Sequence, residues 1–154
     1  MAKKKKQIII SKKDAVFWMN ENGDWYNKHG KFEHPKIIRH FHTSIRKDEN
    51  GYYVFQESEE LEEKVYFPYK ETAIFVFDIK EEKEILLKLN NSETIKLDPE
   101  QLFEKDDKLF LKTPEHLVKF TDRALFKISK FFEEKNDQLF FKIKDRLYPV
   151  DNIQ

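Results

Sequence analysis

The chain has 154 residues, which suits one domain or two small units that share a core. Its 15% aromatic content is too high for a disordered chain, and its 38% charged residues are typical of a well-solvated surface. Cysteine is absent, which excludes disulfides, thiol catalysis, zinc knuckles and iron–sulfur clusters. No apolar run approaches the roughly 18 residues of a membrane span, and no signal peptide is recognisable, so a cytoplasmic protein is predicted.

Positive charge is concentrated at the N-terminus, although the formal net charge of the chain is zero. Six of the 29 basic residues precede the first acidic residue, Asp14, and they are Lys3, Lys4, Lys5, Lys6, Lys12 and Lys13. The rest of the chain keeps 23 basic against 29 acidic residues, a net charge of minus six. Residues 1–13 are therefore predicted to be a flexible basic tail. Binding of nucleic acid or anionic lipid through this tail is disfavoured, because no basic patch continues into the body.

Residues 14–98 are predicted to form a first β-rich unit that opens with a hairpin. A strand over 15–19 meets a second strand over 24–26 at Asn22-Gly23, a pair that favours a two-residue type I′ turn. Trp18 and Trp25 lie on either side of this turn. They either form a shelf on which a ligand stacks or cover the helix that follows, and the second use is the more common one.

The first helix is predicted over about 35–47. His34 stands at the N-cap position and Pro35 at the first helical position. The helix has an apolar stripe made of Ile37, Ile38, Phe41 and Ile45. A polar turn at Asp48–Gly51 and an aromatic strand follow.

A meander of strands completes the first unit. Strands are predicted over 64–69, 73–79, 85–89 and 94–97, and the short turns between them indicate antiparallel pairing. Asp78 stands out because it ends the most apolar strand. It marks either the point where that strand meets water or a functional acid.

Residues 99–154 are predicted to form a second unit of similar plan. After a strand over 108–112, Thr113 and Pro114 resemble the cap and first position of a helix that runs to about 133. Phe126 points away from the broad apolar face of this helix, so a loop or a partner is expected to cover it. Strands at 139–143 and 147–150 close the chain. The order of helix, polar turn and aromatic strand in both units indicates an internal repeat.

The sequence offers no catalytic or metal site. His40 and His42 are two positions apart, so on a helix their side chains diverge by about 160° and do not share one ion. The three glycines are widely separated, which excludes a phosphate-binding loop. No cofactor is predicted.

Several short patterns together resemble a bacterial family catalogued as domain of unknown function 1285. The patterns are Phe17-Trp18, Asn22-Gly23-Asp24-Trp25, Pro35 with Ile38, Phe41 and Ile45, Gly51-Tyr52, the segment 73–78 and Arg123-Ala124. This resemblance implies a β-rich fold with an internal structural repeat and a role in signal transduction. It supplies no catalytic residues.

The sequence therefore predicts an α+β fold, antiparallel throughout, with two related helix-on-sheet units in one chain. The expected function is a non-catalytic binding or regulatory module that recognises a protein or small ligand between the two units, and a homo-oligomer is left open. The candidate binding residues are Trp18, Trp25, Arg39, His42, Asp78 and Phe126. The alternative is an enzyme that acts through dispersed polar residues such as His40, His42, Arg39 or Asp78.

Overall fold

The computed structural model describes residues 4–153 and has a β-rich α+β fold with two short α-helices. Neither described helix is long and apolar enough to cross a membrane. The chain divides into two compact units, the first ending at Ala73 and the second beginning at Ile74. The boundary predicted from the sequence lies after residue 98. The meander that begins at Ile74 belongs to the second unit because its first strand pairs with a strand at 117–120.

The first unit contains two sheets and one helix. Its elements are β1 (Lys6–Ile10), β2 (Phe17–Met19), β3 (Trp25–Asn27), β4 (Gly30–Lys31), α1 (Pro35–Thr43), β5 (Ile45–Asp48), β6 (Gly51–Glu57) and β7 (Leu61–Tyr66). Four strands form one sheet in the order β1-β7-β6-β5, and β2, β3 and β4 form the other.

Part of the predicted flexible tail is a strand. β1 lies parallel to β7, with Lys6 opposite Leu61, and Lys5 forms an ion pair with Glu57. Three consecutive isoleucines supply the β-branched side chains that favour this pairing. The tail residues 1–3 lie outside the described residues.

The hairpin of β2 and β3 is present, but its turn differs from the prediction. Five residues connect the strands, and the side chain of Asn20 organises them by accepting hydrogen bonds from the amides of Asn22 and Asp24, each at 2.9 Å. Gly23 has a φ of 81°, whereas Asn22 is not among the described residues with positive φ. A type I′ turn needs positive φ at both central positions, so this prediction is wrong.

Helix α1 begins at Pro35 as predicted but ends at Thr43, four residues early. The hydroxyls of Thr43 and Ser44 donate to carbonyls one turn back, at 2.9 and 2.6 Å. Ile45, predicted to lie on the helix, is instead the first residue of β5. His34 occupies the N-cap position, although its side chain accepts no capping hydrogen bond among the described residues.

Aromatic rings fill the core of the first unit. Trp25 has its ring centroid 5.7 Å from that of Phe17, 5.3 Å from that of Phe41 and 4.8 Å from that of Phe67. Edge-to-face pairs of this kind add stabilisation beyond the apolar area that they bury. Phe41 thus brings the apolar stripe of α1 against the hairpin.

The second unit contains a large sheet, a small sheet and the shorter helix. Its elements are β8 (Ile74–Glu81), β9 (Ile85–Leu89), β10 (Thr94–Lys96), β11 (Leu102–Lys105), β12 (Lys108–Lys112), β13 (Leu117–Phe120), α2 (Asp122–Ile128), β14 (Phe132–Lys135), β15 (Gln138–Ile143), β16 (Arg146–Pro149) and β17 (Asp151–Ile153). The large sheet has the order β10-β9-β8-β13-β12-β11-β17, and the small sheet is β14-β15-β16.

The prediction that pairing is antiparallel throughout is wrong at three places. β1 is parallel to β7, β13 to β8 and β11 to β17. Each of these pairs joins strands that are distant in sequence, whereas the pairs joined by short turns are antiparallel. Turn signals in the sequence reveal only the second kind of pair.

The segment predicted as a helix over 114–133 contains a strand, a turn and a shorter helix. Thr113 Oγ1 accepts a hydrogen bond from the amide of His116 at 2.8 Å, which is the bond that an N-cap residue makes with the third residue of a helix. Here it closes a turn between β12 and β13. The helix begins later, at Asp122, where Thr121 Oγ1 accepts from the amide of Ala124 at 3.2 Å.

Three tight turns in the second unit share a local sequence. Each has two consecutive residues with positive φ, and the pairs are Asp106-Asp107, Asn136-Asp137 and Lys144-Asp145. An aspartate in each case precedes a polar residue, a leucine and an aromatic residue, as in Asp107–Phe110, Asp137–Phe140 and Asp145–Tyr148. Asparagine and aspartate tolerate the left-handed region, which explains their use here without glycine.

Candidate functional site

Trp25 and His42, two of the predicted binding residues, contact each other in the first unit. Trp25 is only 1% exposed, and its indole N–H donates to Nδ1 of His42 at 3.0 Å. Burial lowers the pKa of His42 from 6.5 to about 4, and the charge of Asp24 opposes part of this shift. His42 is therefore a neutral acceptor for a core tryptophan at physiological pH. Trp25 is buried against Phe41 of α1, which is the second of the two uses given for it above, and it does not form a ligand shelf.

Trp18 and Arg39 lie on the surface of the same unit. Trp18 is 39% exposed and stacks on Tyr26, with centroids 6.3 Å apart and ring planes at 10°. Trp18 and Trp25 do not form a shared shelf, because Trp18 is opposite Tyr26 in the hairpin whereas Trp25 is opposite Met19. Successive side chains of a strand point to opposite faces, so the two indoles face different ways. Arg39 is exposed on α1.

Asp78 and Phe126 belong to the second unit. Asp78 follows a bulge in β8 and accepts hydrogen bonds from the ammonium of Lys127 and, at 3.0 Å, from the amide of Ile79. The bond from Lys127 holds the pKa of Asp78 below its ordinary value. Phe126 is 81% exposed on α2, so no loop among the described residues covers it, and cover by a partner stays a prediction. The ion pair of Asp78 tethers α2 to β8.

A cleft of about 540 Å³ lies within the second unit, beside the edge strand β10. Twelve residues line it: Leu89, Glu93, Ile95, Lys96, Asp98, Gln101, Leu111, Lys112, Thr113, Pro114, Glu115 and His116. The buried side chains of Leu89 and Leu111 provide an apolar floor, and charged residues surround it. None of the six predicted binding residues is among the lining residues.

Three potential metal ligands converge at this cleft. One ligand atom from each of Glu93, Glu115 and His116 lies within 4.8 Å of the other two. The glutamates are exposed and the histidine is half-buried. Among the described residues, this is the one group of three or more such side chains that meets this distance.

Two turns position these three side chains. Glu93 follows Ser92, whose φ is 79°, and its backbone is held by a bond from the Leu89 amide at 2.9 Å. His116 is held by Thr113, whose hydroxyl donates to the carbonyl of His116 at 2.9 Å and accepts from its amide. Hydrogen bonds therefore hold the backbones of Glu93 and His116, which carry two of the three donors.

The charges around the cleft are mixed but partly neutralised. Lys96 pairs with Glu84 at 2.8 Å, and this bond raises the pKa of Lys96 above its ordinary value. Glu93, Asp98 and Glu115 are the acidic residues of the lining, and Lys112 is the other base. With Lys96 engaged by Glu84, the acidic groups predominate.

This site is not recognisable in the sequence, for an identifiable reason. His116 was assigned to the first turn of a helix over 114–133, where nothing indicated a neighbour at Glu93. The available signal was that Leu117–Phe120 has the β-branched and aromatic character of a strand. A strand there makes 113–116 a connection between strands, which is a common location for binding residues.

Solved structures with the same fold exist, although their sequences are very different. A DUF1285 family protein from Silicibacter pomeroyi DSS-3 aligns with a TM-score of 0.61 over 95% of this chain and 84% of that chain, at 6% identity. A DUF1285 family protein from Shewanella baltica OS155 aligns with a TM-score of 0.53 over 75% of this chain and 91% of that chain, at 13% identity. The chain has the fold of these DUF1285 proteins.

The resemblance to the DUF1285 family is thus confirmed at the level of fold. The sequence matches no protein-family model and no curated protein. At such low identity, similarity of fold does not transfer residue roles, and function is inferred from the residues of the site itself.

Proposed function

We propose that the chain is a non-catalytic binding or regulatory module whose ligand site is the cleft beside β10. The supporting observation is the cleft itself, whose volume of about 540 Å³ falls in the usual range of roughly 300–1,000 Å³ for small-ligand sites. Its apolar floor and charged rim suit a small molecule with an apolar body and polar groups. The expectation from sequence placed recognition between the two units, and the proposal now concerns this cleft in the second.

The test uses a pair of variants on one strand. Ile95→Trp fills the cleft, whereas Thr94→Trp places the same side chain at a neighbouring exposed position of β10 that does not line the cleft. A library of small polar metabolites is screened against the wild type by thermal shift and by NMR chemical-shift changes. Compounds that bind the wild type and Thr94→Trp but not Ile95→Trp support the proposal. Equal binding to Ile95→Trp, or no binder at all, contradicts it.

Three broader features complete the proposal. We propose a cytoplasmic location, as expected from the sequence, and a part in bacterial signal transduction, as the resemblance to the DUF1285 family suggests. A homo-oligomer is the third feature, and exposed Phe126 is the side chain that would form its contact.

We also propose that the two units arose from a duplicated element. In the first unit, α1 is followed directly by the consecutive antiparallel strands β5, β6 and β7. In the second, α2 and a short 3₁₀ turn are followed by β14, β15 and β16, which pair in the same way. Superposition of 35–66 on 122–149 in an experimental structure tests this idea. Strand directions that do not superpose would contradict it.

An enzyme that acts through dispersed polar residues stays the alternative, but the binding module is favoured. The enzyme would rely on His40, His42, Arg39 and Asp78, but His42 accepts a bond from Trp25 and Asp78 is paired with Lys127. These contacts give both residues a structural role.

A further inference from the structure

We infer that Glu93, Glu115 and His116 form a Zn²⁺ site at the cleft. The inference deepens the proposed function, because the ion would become part of the surface that a small ligand meets. The inference rests on the proposed location of that function in the cleft. The experiment below tests the Zn²⁺ site separately from the small-ligand site.

The three donors are close enough to bind one ion. Zn²⁺ takes carboxylate oxygen and imidazole nitrogen at about 2.0–2.2 Å, so tetrahedral ligands lie about 3.4 Å apart. The donor atoms here lie within 4.8 Å of one another. Rotamer changes in two exposed glutamate side chains close the remaining distance without moving the backbone.

The three donors come from two separate turns. Glu93 precedes β10, whereas Glu115 and His116 lie between β12 and β13, and the order of strands in the large sheet brings these connections to one cleft. A bound ion would therefore cross-link two turns that are more than 20 positions apart. The hydrogen bonds of Thr113 hold the backbone of His116 in place before the ion arrives.

The surrounding charge favours a cation. Glu93, Asp98 and Glu115 are acidic, while Lys96 is paired with Glu84 at 2.8 Å. Two ligating carboxylates balance the charge of a divalent ion, and the neutral imidazole completes the set. Lys112 is the basic side chain of the lining that opposes cation binding.

The donor set selects the ion. Imidazole suits Zn²⁺ and other late transition metals, whereas Mg²⁺ and Ca²⁺ prefer ligands that are all oxygen. Three protein ligands leave one tetrahedral position for water. Because the donors line the cleft, that position is available to a polar group of a bound ligand.

The experiment is a calorimetric titration of the untagged full chain with Zn²⁺, repeated with Mg²⁺ and Ca²⁺. His116→Asn is compared with His29→Asn, which removes a histidine from a turn of the first unit. Circular dichroism and thermal melts without metal establish that each variant folds. We expect one Zn²⁺ per chain, roughly 100-fold weaker binding in His116→Asn, roughly tenfold weaker binding in Glu93→Gln and Glu115→Gln, and wild-type binding in His29→Asn.

Several results would overturn the inference. These are wild-type affinity in His116→Asn, equal losses in the two histidine variants, or binding of Ca²⁺ or Mg²⁺ as tight as that of Zn²⁺. The proposed ligand site is judged separately with Ile95→Trp. If small molecules bind the cleft but Zn²⁺ does not, only the metal site fails. If Zn²⁺ binds at His116 but no small molecule does, the metal site stands and the ligand proposal fails.

Discussion

In the first unit, Trp25 and His42 are bonded to each other inside an aromatic core, whereas in the second unit His116 lies beside two carboxylates at an open cleft. The same residue type thus has two uses. A helix position packed against the buried face of a hairpin makes His42 a neutral acceptor, and a turn between strands places His116 beside two carboxylates. Burial and neighbours decide the role of a histidine, and its residue type does not.

The largest expected effect tests the buried side of this comparison. Trp25→Ala removes a side chain that contacts three core phenylalanines, so we expect the free energy of unfolding to fall by about 3–5 kcal/mol. Trp18→Ala, from the opposite face of the same hairpin, should cost less than about 1 kcal/mol, because Trp18 is partly exposed. Urea denaturation of both variants gives the two values. Similar losses would mean that the hairpin does not separate its two faces as described.

A second prediction concerns the pH dependence of the first unit. The pKa of His42 is lowered to about 4 in the folded state, whereas the unfolded chain has the ordinary value of 6.5. The unfolded state therefore binds more protons between these values, and stability falls as pH decreases from 6.5 to 4. The upper bound of this loss is about 3 kcal/mol.

Denaturation curves measured at intervals from pH 7 to pH 4 check this prediction. His42→Gln keeps an acceptor near Trp25 but does not titrate, so it should lose less stability over this interval than the wild type. If the two profiles are parallel, His42 is not the group responsible.

A third prediction gives the second unit the opposite response to pH. Burial raises the pKa of Glu104 above its ordinary value, and the negative charges of Asp107 and Glu134 raise it further. The folded state therefore binds a proton at Glu104 more tightly than the unfolded state does. The stability that protonated Glu104 contributes is lost as the pH rises through the folded pKa.

Glu104→Gln should therefore be more stable than the wild type at pH 7, by well under about 1 kcal/mol because solvent screens this carboxylate, and the advantage should shrink near pH 4. Thermal melts at both pH values measure it. Glu100→Gln, an exposed glutamate in the preceding turn, is the control and should change little. A destabilised Glu104→Gln at pH 7 would show that the carboxylate has a favourable partner.

The smallest expected effect on stability is at Phe126. With 81% of this residue exposed, Phe126→Asp should change the free energy of unfolding by less than about 0.5 kcal/mol. Its expected effect is on assembly, because a charge placed in an apolar contact disfavours association. Light scattering coupled to size exclusion measures the mass of the particle. If the wild type is already a monomer and Phe126→Asp has the same mass, the proposed homo-oligomer is contradicted.

Local signals in the sequence predicted the local parts of the fold. β9 and β12 have the predicted bounds, and α1 begins at Pro35 where the helix-start signal placed it. The long predicted helix failed at Thr113, whose hydrogen bond to the His116 amide is the same in a capped helix and in the observed turn. The observed turn is favoured over a capped helix because β13 pairs with both β8 and β12. That pairing depends on distant parts of the chain and is not visible in the local sequence.

The candidate site depends still more on distant pairing. Glu93 and His116 meet only because the meander β8-β9-β10 adds to β13 on one side while β12 pairs on the other. No spacing rule connects these two residues in sequence. The predicted residues Trp25 and His42 do meet, but the sequence could not show that they meet inside the core, since burial depends on which face of the hairpin receives α1.

The parallel pairing of β1 with β7 has a consequence for the order of folding. Lys6 is opposite Leu61, 55 positions along the chain, whereas β6 and β7 are joined by a short turn. Closing the longer loop costs more chain entropy, so the β5-β6-β7 meander should assemble first and receive β1 afterwards. Amide protons of Lys6–Ile10 should accordingly exchange with solvent before those of β6, which makes the start of this chain the first piece of the sheet to open.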